Sequence, residues 1–325
     1  MNALSFTDPA VLQGDCWPRV EACYAQAWSG YTMPPHFHNR AEVMYVLKGW
    51  CLVHLYDYRE SGAGQDIQIT GRRTERLGPG DFIFLDQGLL HELEVPEESH
   101  MRNAEFRLSA DGDALMSLKR LADASPALAA MLSSRRPVHR GRDDSGVLLR
   151  ALEQLIAAFS GPLPRDRALA DVLMAELLLR MADDLKRQAL RSNALAYARG
   201  AADYITAHQS ESVRVDDVAR RVGVAPAYLQ RVFKQAMGMT MVEYLNQLRV
   251  EQSKRLLMYT DEAVVDVAVA CGFNSRQHFF RVFNALVGVS PQQYRQTHSA
   301  MPARSVFMFD DVDDHSYDKD GKRKN

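Results

Sequence analysis

The feature that most constrains this chain is a duplicated pattern toward its C-terminal end. Arg231-Val232-Phe233, Gly238, Thr240 and Tyr244 recur fifty residues later as Arg281-Val282-Phe283, Gly288, Ser290 and Tyr294. Upstream, Val218-Ala219 with Gly223 matches Val267-Ala268 with Gly272 at an offset of forty-nine, so the second copy holds one more residue in the turn after its glycine. Each copy reads as a short helix (Asp216–Arg221, then Val264–Ala270), a glycine turn and a second helix (Pro226–Met237, then Ser275–Val287). Two helices joined by a short glycine turn deliver the second one into a DNA major groove.

Helical periodicity assigns Val218, Val222, Leu229, Val232 and Phe233 to the core of the first copy, and Val267, Phe273, Phe279, Val282 and Phe283 to that of the second. Ala227, Gln230, Arg231 and Lys234 are then left exposed on the first presented helix, and Arg276, Gln277, Phe280 and Arg281 on the second. Arginine and glutamine pair with guanine and adenine edges, while alanine and phenylalanine touch a thymine methyl. Thr240 with Glu243 forms a capping box, and Ser290-Pro291 with Gln293 is its counterpart. Between them Met241–Tyr259 reads as one helix, roughly 28 Å long at ~1.5 Å per residue. That approaches one duplex turn of ~34 Å, so a single chain reaches two successive major grooves. The alternative is a plain helical bundle with solvated Arg and Gln, which one such pattern would leave open and two in tandem argue against. The charge agrees: the chain carries a net −2, yet Leu195 to His298 holds twelve Lys/Arg against nine Asp/Glu.

Residues 197–298 resemble the tandem helix-turn-helix domain of the AraC/XylS family of bacterial transcription regulators. CGFNSRQHFFRVFNALVGVSPQQYR is similar to that family's signature, and VARRVGVAPAYLQRVFKQAMG to its first motif. The resemblance implies base or backbone contacts from Gln230, Arg231, Arg276, Gln277 and Arg281. It further implies double-stranded promoter DNA as a partner, a homodimer, and RNA polymerase as a partner if the protein activates. Three positions depart from the family. Ala225 replaces the usual Ser/Thr cap, at a cost of ~1 kcal/mol, and Asn284-Ala285 replaces paired lysines that would contact phosphate. Weaker binding by the monomer follows, which makes dimerisation more useful.

The N-terminal part has a different rhythm. Turn signals separate short β-rich runs at Glu42–Leu47, Cys51–Tyr58, Asp66–Thr70, Asp81–Leu85 and Met101–Leu108, the pattern of a sandwich or barrel. Gly30, His36, His38, Glu42 and Gly49 follow G-x5-H-x-H-x3-E-x6-G, and Gly80, Gly88 and His91 follow G-x7-G-x2-H. This resembles the two motifs of the cupin barrel, with Asp86 in place of a proline and Val95 in place of an asparagine. Strand alternation sets His36 and His38 on one face, and a barrel brings Glu42 and His91 to the same interior point. Three imidazoles and a carboxylate suit a divalent Zn, Fe, Mn or Ni. AraC-type regulators with cupin-like sensing domains also respond to organic ligands without metal, so the same His36, His38, Glu42 and His91 equally well bind an effector or satisfy the interior. Trp28, Tyr31, Tyr45 and Trp50 lie near the motif in sequence and either stack on a sugar or aromatic effector or pack in the core.

The whole reads as an α+β multidomain chain. Residues 1–110 form a cupin-like effector-sensing barrel, 111–192 a helical dimerisation segment, 193–298 an all-α tandem helix-turn-helix domain, and 299–325 a disordered tail. Helical spacing marks Asp113–Leu132, Ser145–Phe159 and Arg167–Leu190, with Ser192–Tyr197 as linker. The apolar stripe of Leu169, Val172, Leu173, Leu177 and Met181 serves either a dimer surface or packing within its own domain. At 325 residues the chain exceeds what one core organises. No stretch approaches 18 apolar residues and no leader opens the chain, so a cytoplasmic, non-membrane protein is expected. Cys16, Cys23, Cys51 and Cys271 form no CxxC pair and suit reduced thiols. The function expected is an effector-responsive, sequence-specific regulator of carbohydrate or small-molecule metabolism genes, not an enzyme. The competing reading is a metal-dependent cupin enzyme, a dioxygenase or sugar isomerase, with a helical appendage.

Overall fold

The computed structural model describes residues 4–60, 67–110, 114–160 and 166–298. The expected disordered tail, 299–325, lies outside them. The chain divides into two units, Met1–Arg191 and Ser192–Asn325.

In the first unit a short 3-10 turn, Pro9–Leu12, precedes strands β1 (Trp17–Trp28), β2 (Tyr31–His36), β3 (Ala41–Lys48), β4 (Cys51–Glu60), β5 (Ile67–Leu77), β6 (Asp81–Leu85), β7 (Leu90–Val95) and β8 (Ser99–Ser109). A further strand, β9 (Val138–Arg142), follows two helices. The strands form two antiparallel sheets, ordered β1-β8-β3-β6-β9 and β2-β7-β4-β5. The inner strands of the first sheet are apolar on both faces. Met44, Val46, Ile83 and Leu85 pack between the sheets against Val53, Leu55, Leu93 and Val95. Val43, Tyr45, Phe82 and Phe84 point the other way, into a core shared with helices α1 (Leu118–Ala124), α2 (Pro126–Ser133), α3 (Val147–Ser160) and the first part of α4 (Arg167–Ala207).

Several expectations change here. The single helix expected over Asp113–Leu132 is split at Ser125-Pro126, because proline starts a helix more readily than it continues one and the Ser125 hydroxyl caps the new helix by accepting from Leu128 N–H. The Ser192–Tyr197 linker is helical: α4 runs on to Ala207, and its Ala198, Ala201, Ala202 and Ile205 enter the core of the second unit. Of the apolar stripe on α4, Leu173, Leu177 and Met181 are buried in their own domain, whereas Leu169 and Val172 remain exposed.

The cupin-like motifs find their structural reasons. Gly49 has φ +78°, and a Cβ there would collide with the Ser99 hydroxyl and the Glu98 carbonyl. Asp86, standing where the motif has proline, is buried and accepts main-chain hydrogen bonds from Phe6 (3.1 Å), Thr7 (3.1 Å) and Gln87 (2.9 Å). It fastens the N-terminal segment so that Phe6 packs edge-on against Phe84 and Phe106.

The second unit continues with α5 (Val215–Val222), α6 (Pro226–Met237), α7 (Met241–Tyr259), α8 (Val264–Ala270), α9 (Arg276–Val287) and α10 (Pro291–His298). Its apolar side chains form two clusters. One joins α4, α5, α6 and the start of α7 around Phe233; the other joins the rest of α7 to α8, α9 and α10 around Phe279 and Phe283. Asp86→Ala is expected to lower the stability of the intact chain by about 2–3 kcal/mol, since it strands buried N–H groups. Asp86→Asn, which keeps an acceptor, should lose less; equal urea midpoints for Asp86→Ala and the parent would refute the clasp.

Candidate effector site and nucleic-acid interface

Strand β2 ends at His36, whose cross-strand partner on β7 is His91. His38 is not on the strand, as alternation had implied, but in the turn that follows it. That turn folds back because the Gly88 N–H, at φ +75°, donates to the His38 carbonyl at 2.8 Å. The three rings meet, with centroid separations of 4.4 Å for His36 to His91, 5.2 Å for His38 to His91 and 5.7 Å for His36 to His38. One ring nitrogen from each lies within 4.8 Å of the others.

The tautomers follow from the partners. Nδ1 of His36 lies 3.0 Å from the Pro34 carbonyl, Nδ1 of His38 2.9 Å from the Arg40 carbonyl, and Nδ1 of His91 2.9 Å from the Leu89 carbonyl. A carbonyl only accepts, so each Nδ1 donates and each Nε2 is left facing its neighbours. Glu42, on β3, sets Oε2 3.6 Å from His38 Nε2 and 3.8 Å from His91 Nε2. Its Oε1 accepts from Asn103 Nδ2 at 2.9 Å. All four motif residues therefore converge.

The electrostatics divide the histidines. The Glu42 carboxylate holds His38 above its ordinary value. Burial lowers His91 and favours its neutral form. For Glu42 burial pushes upward, but His38, His91 and Asn103 together outweigh it, and its carboxyl is held below the usual range.

The aromatic candidates separate. Tyr45 sits three residues after Glu42 on β3, and the period of two turns it to the opposite, helix-facing side; it belongs to the other core and is removed from the histidines. There its hydroxyl bonds Asp143, and burial first, with Asp143 and Asp184, pushes it up to about 12. Trp28 stacks on Tyr31 at 4.1 Å, beside the inter-sheet core. Tyr31 pairs with Val95, four residues along β7 from His91, so this stack lies about 13 Å away along the strand. Trp50 lies under Arg76 and reaches Glu97. Sequence reading missed Asn103; its signal is a polar residue in register with buried Met101 on the inward face of β8. A cavity of about 500 Å³ lies on the other side of Leu55, lined by Leu55, Leu89, Leu90, Val138, Arg73 and Arg140 and by none of the four motif residues. Leu55 is the cross-strand partner of His91.

In the second unit both helix-turn-helix copies are formed, with Gly223 at φ +77° and Gly272 at φ +83° in the turns. Ala227, Gln230, Arg231 and Lys234 are exposed on α6, and Arg276, Gln277 and Arg281 on α9. Phe280 departs from expectation: it is half-buried against Phe279, and the Arg276 guanidinium lies 5.1 Å from its ring centroid. It supports an arginine more than it offers a free face. Tyr228, which sequence reading passed over, does the same for Arg231 at 5.1 Å while packing on Tyr197. Ser275 caps α9 through His278 N–H, whereas Ala225 gives α6 no side-chain cap. Both capping boxes flanking α7 and α10 are present.

A barrel with an interior polar cluster, on one chain with a tandem helix-turn-helix domain, defines a class of two-part ligand-binding and DNA-binding chains. Residues 20–178 match the AraC-like ligand binding domain and residues 218–297 a helix-turn-helix domain. With an AraC-like ligand binding domain and a helix-turn-helix domain on one chain, it is similar to AraC-type transcription regulators. It is 27% identical over 273 residues to the HTH-type transcriptional activator RhaS of Escherichia coli (strain SE11), covering 81% of this chain and 87% of that protein. It is 28% identical over 120 residues to the melibiose operon regulatory protein of Escherichia coli (strain K12), covering 37% of this chain but only 40% of that protein's length. Among solved structures, the C-terminal domain of AraT, a response regulator from Geobacillus stearothermophilus, is 30% identical, covering 35% of this chain and 94% of that one, with a TM-score of 0.32. No helix among the described residues is long and apolar enough to cross a membrane.

The pairing of Glu42 with His38 sets a pH dependence. Its stabilisation is complete between the ordinary carboxyl value of 4.5 and the ordinary imidazole value of 6.5. It fades as pH rises through the raised His38 value, and as pH falls through the lowered Glu42 value. In EDTA, the gap in unfolding midpoint between the parent and Glu42→Gln should therefore be wider at pH 6 than at pH 8.5; an equal gap at both would remove the ionic pairing.

Proposed function

We propose that this protein is an effector-responsive, sequence-specific transcription regulator that binds double-stranded promoter DNA through α6 and α9. The observation that carries this reading is the pair of helices, each seated on its own apolar core and each turning arginine and glutamine to solvent. The barrel then takes a small-molecule effector, with a sugar as the favoured class because one relative is named for the melibiose operon. The cavity of about 500 Å³ falls in the range of small-molecule sites. In this reading the protein acts in the cytoplasm, the polar cluster serves binding and not catalysis, and effector binding shifts the population between states that favour different pairs of half-sites. The reading includes a homodimer, supported only by Leu169 and Val172, which stay exposed on α4, and contact with RNA polymerase if the protein activates.

The donor set also fits a divalent cation. With each Nδ1 tied to a carbonyl, His36, His38 and His91 offer Nε2 toward one another, and Glu42 adds an oxygen. We include Zn, Fe, Mn or Ni at these residues as part of the proposal; such an ion would supply a Lewis-acidic anchor for an effector oxygen. Elemental analysis of freshly purified protein should find the ion in the parent and not in a His36→Ala/His91→Ala variant. Equal, trace content in both leaves the organic effector to bind the histidines directly.

Duplex binding tests the main reading. On DNA flanking its own gene, a mobility shift should be specific and should weaken with salt. Arg231→Ala and Arg276→Ala should each cost about 1–3 kcal/mol and relax sequence preference at one position. His38→Ala should alter the effector dependence of binding while leaving effector-free affinity nearly intact. Salt-insensitive binding without sequence preference would defeat the proposal.

A further inference from the structure

The two helix-turn-helix copies are built on separate apolar clusters, and what the clusters share is α7, whose Leu245 belongs to the first and Val250 to the second. Between those two residues lies Arg249, a charged side chain 7% exposed at the middle of the connecting helix. Burying a guanidinium is costly, and here burial does hold its pKa below the ordinary value. What offsets the cost is a set of partners drawn from both copies. Nε donates to the Gln209 carbonyl at 2.7 Å and Nη2 to the Glu211 carbonyl at 2.6 Å, both in the connection from α4 to α5. The guanidinium carbon lies 5.6 Å from the ring centroid of Phe273, in the turn between α8 and α9.

A second contact crosses at the same place. Gly272, in that turn, approaches the Gln209–Ser210 backbone so closely that a Cβ would sit 2.7 Å from the Ser210 carbonyl oxygen. Its φ of +83° and this approach both require glycine. The entry to the first copy, the midpoint of α7 and the turn of the second copy therefore meet at one polar junction. A helix alone fixes length; it leaves twist and bend at its ends to whatever holds them.

From this geometry we propose that Arg249 is a positioning residue for DNA recognition: by bridging Gln209 and Glu211 to Phe273, it sets the register between α6 and α9, and with it the spacing of the two base-pair elements the chain accepts. The proposal rests on the DNA-binding reading. Arg249 touches no nucleic acid in this role. Lysine cannot replace it, since one ammonium does not span two carbonyls while lying flat on a ring.

The test uses the full-length chain and an operator selected from random duplexes, intact or with one base pair inserted between its two elements. The parent should discriminate against the insertion by about tenfold or more, as for a site mismatch. Arg249→Met, which keeps the aliphatic stem, and Arg249→Lys should each bring that ratio to within about threefold, with weaker binding to the intact operator. A merely structural role would lower the thermal midpoint and the active fraction but leave the spacing ratio of the active fraction unchanged, and that result overturns the proposal. So does a parent that binds specifically yet tolerates the insertion. A readout without DNA separates this from failure of the DNA-binding reading. With spin labels at Gln235→Cys and Asn284→Cys in a Cys23→Ser background, the interlabel distance distribution should broaden in Arg249→Met; an unchanged distribution overturns the proposal whether or not the parent binds DNA.

Discussion

The first unit depends on strand β3 being buried on both of its faces. Because side chains alternate with a period of two, Glu42, Met44 and Val46 turn toward the second sheet while Ala41, Val43 and Tyr45 turn toward the helices. A one-residue slip would exchange these sets and place a carboxylate in the helix-facing core. The register to β6 and β8 holds against that slip through apolar burial on two sides at once. Glu42 tolerates its burial only because Asn103, His38 and His91 surround it, so the polar cluster and the strand register specify one another.

The helical half was the more legible in sequence. Repetition gave two independent views of one pattern, and the residues assigned to the core, Val218, Leu229, Val232 and Phe233 in one copy and Val267, Phe273, Phe279 and Phe283 in the other, are buried. Val222 and Val282 are partly so. The extra residue in the second turn is there too, since Gly223 and Ala225 are separated by Val224 alone, whereas Phe273 and Asn274 stand between Gly272 and Ser275. The barrel was less legible. β9, Val138–Arg142, has no apolar alternation because it is an edge strand whose side chains pair with Asp81 and Glu75. β2 contains Pro34 and Pro35, which read as a turn; they are tolerated because β2 is also an edge and its register to β7 shifts there.

Within the site, spacing found the histidines and the carboxylate but not the aromatic partners. Proximity in sequence put Tyr45 beside Glu42, yet an odd separation on a strand puts two side chains on opposite faces. Trp28, on β1 of the first sheet, and Tyr31, on β2, differ in another way: they stack beside the inter-sheet core, about 13 Å along β7 from His91. Asn103 was missed because its partner Glu42 is a neighbour on the adjacent strand, sixty-one residues away in sequence. Hydrogen-bond partners of that kind follow from register, which a single sequence does not print.

The two recognition helices are not equivalent, and the difference follows from a few side chains. α9 begins at Ser275, whose hydroxyl accepts from His278 N–H, while α6 begins at Ala225 and relies on Pro226 to pre-set its first turn. Each nonetheless holds one arginine over an aromatic ring, Arg231 over Tyr228 and Arg276 over Phe280, and those rings are themselves anchored on Tyr197 and Phe279. Bracing of this kind lowers the entropy lost when a long side chain engages a base edge, so it favours discrimination more than raw affinity. Asn284 and Ala285 contribute no positive charge after the second phenylalanine. Under the proposed function, braced arginines on two helices of one chain would gain most from engaging both grooves together, since each added contact then acts at a high effective concentration.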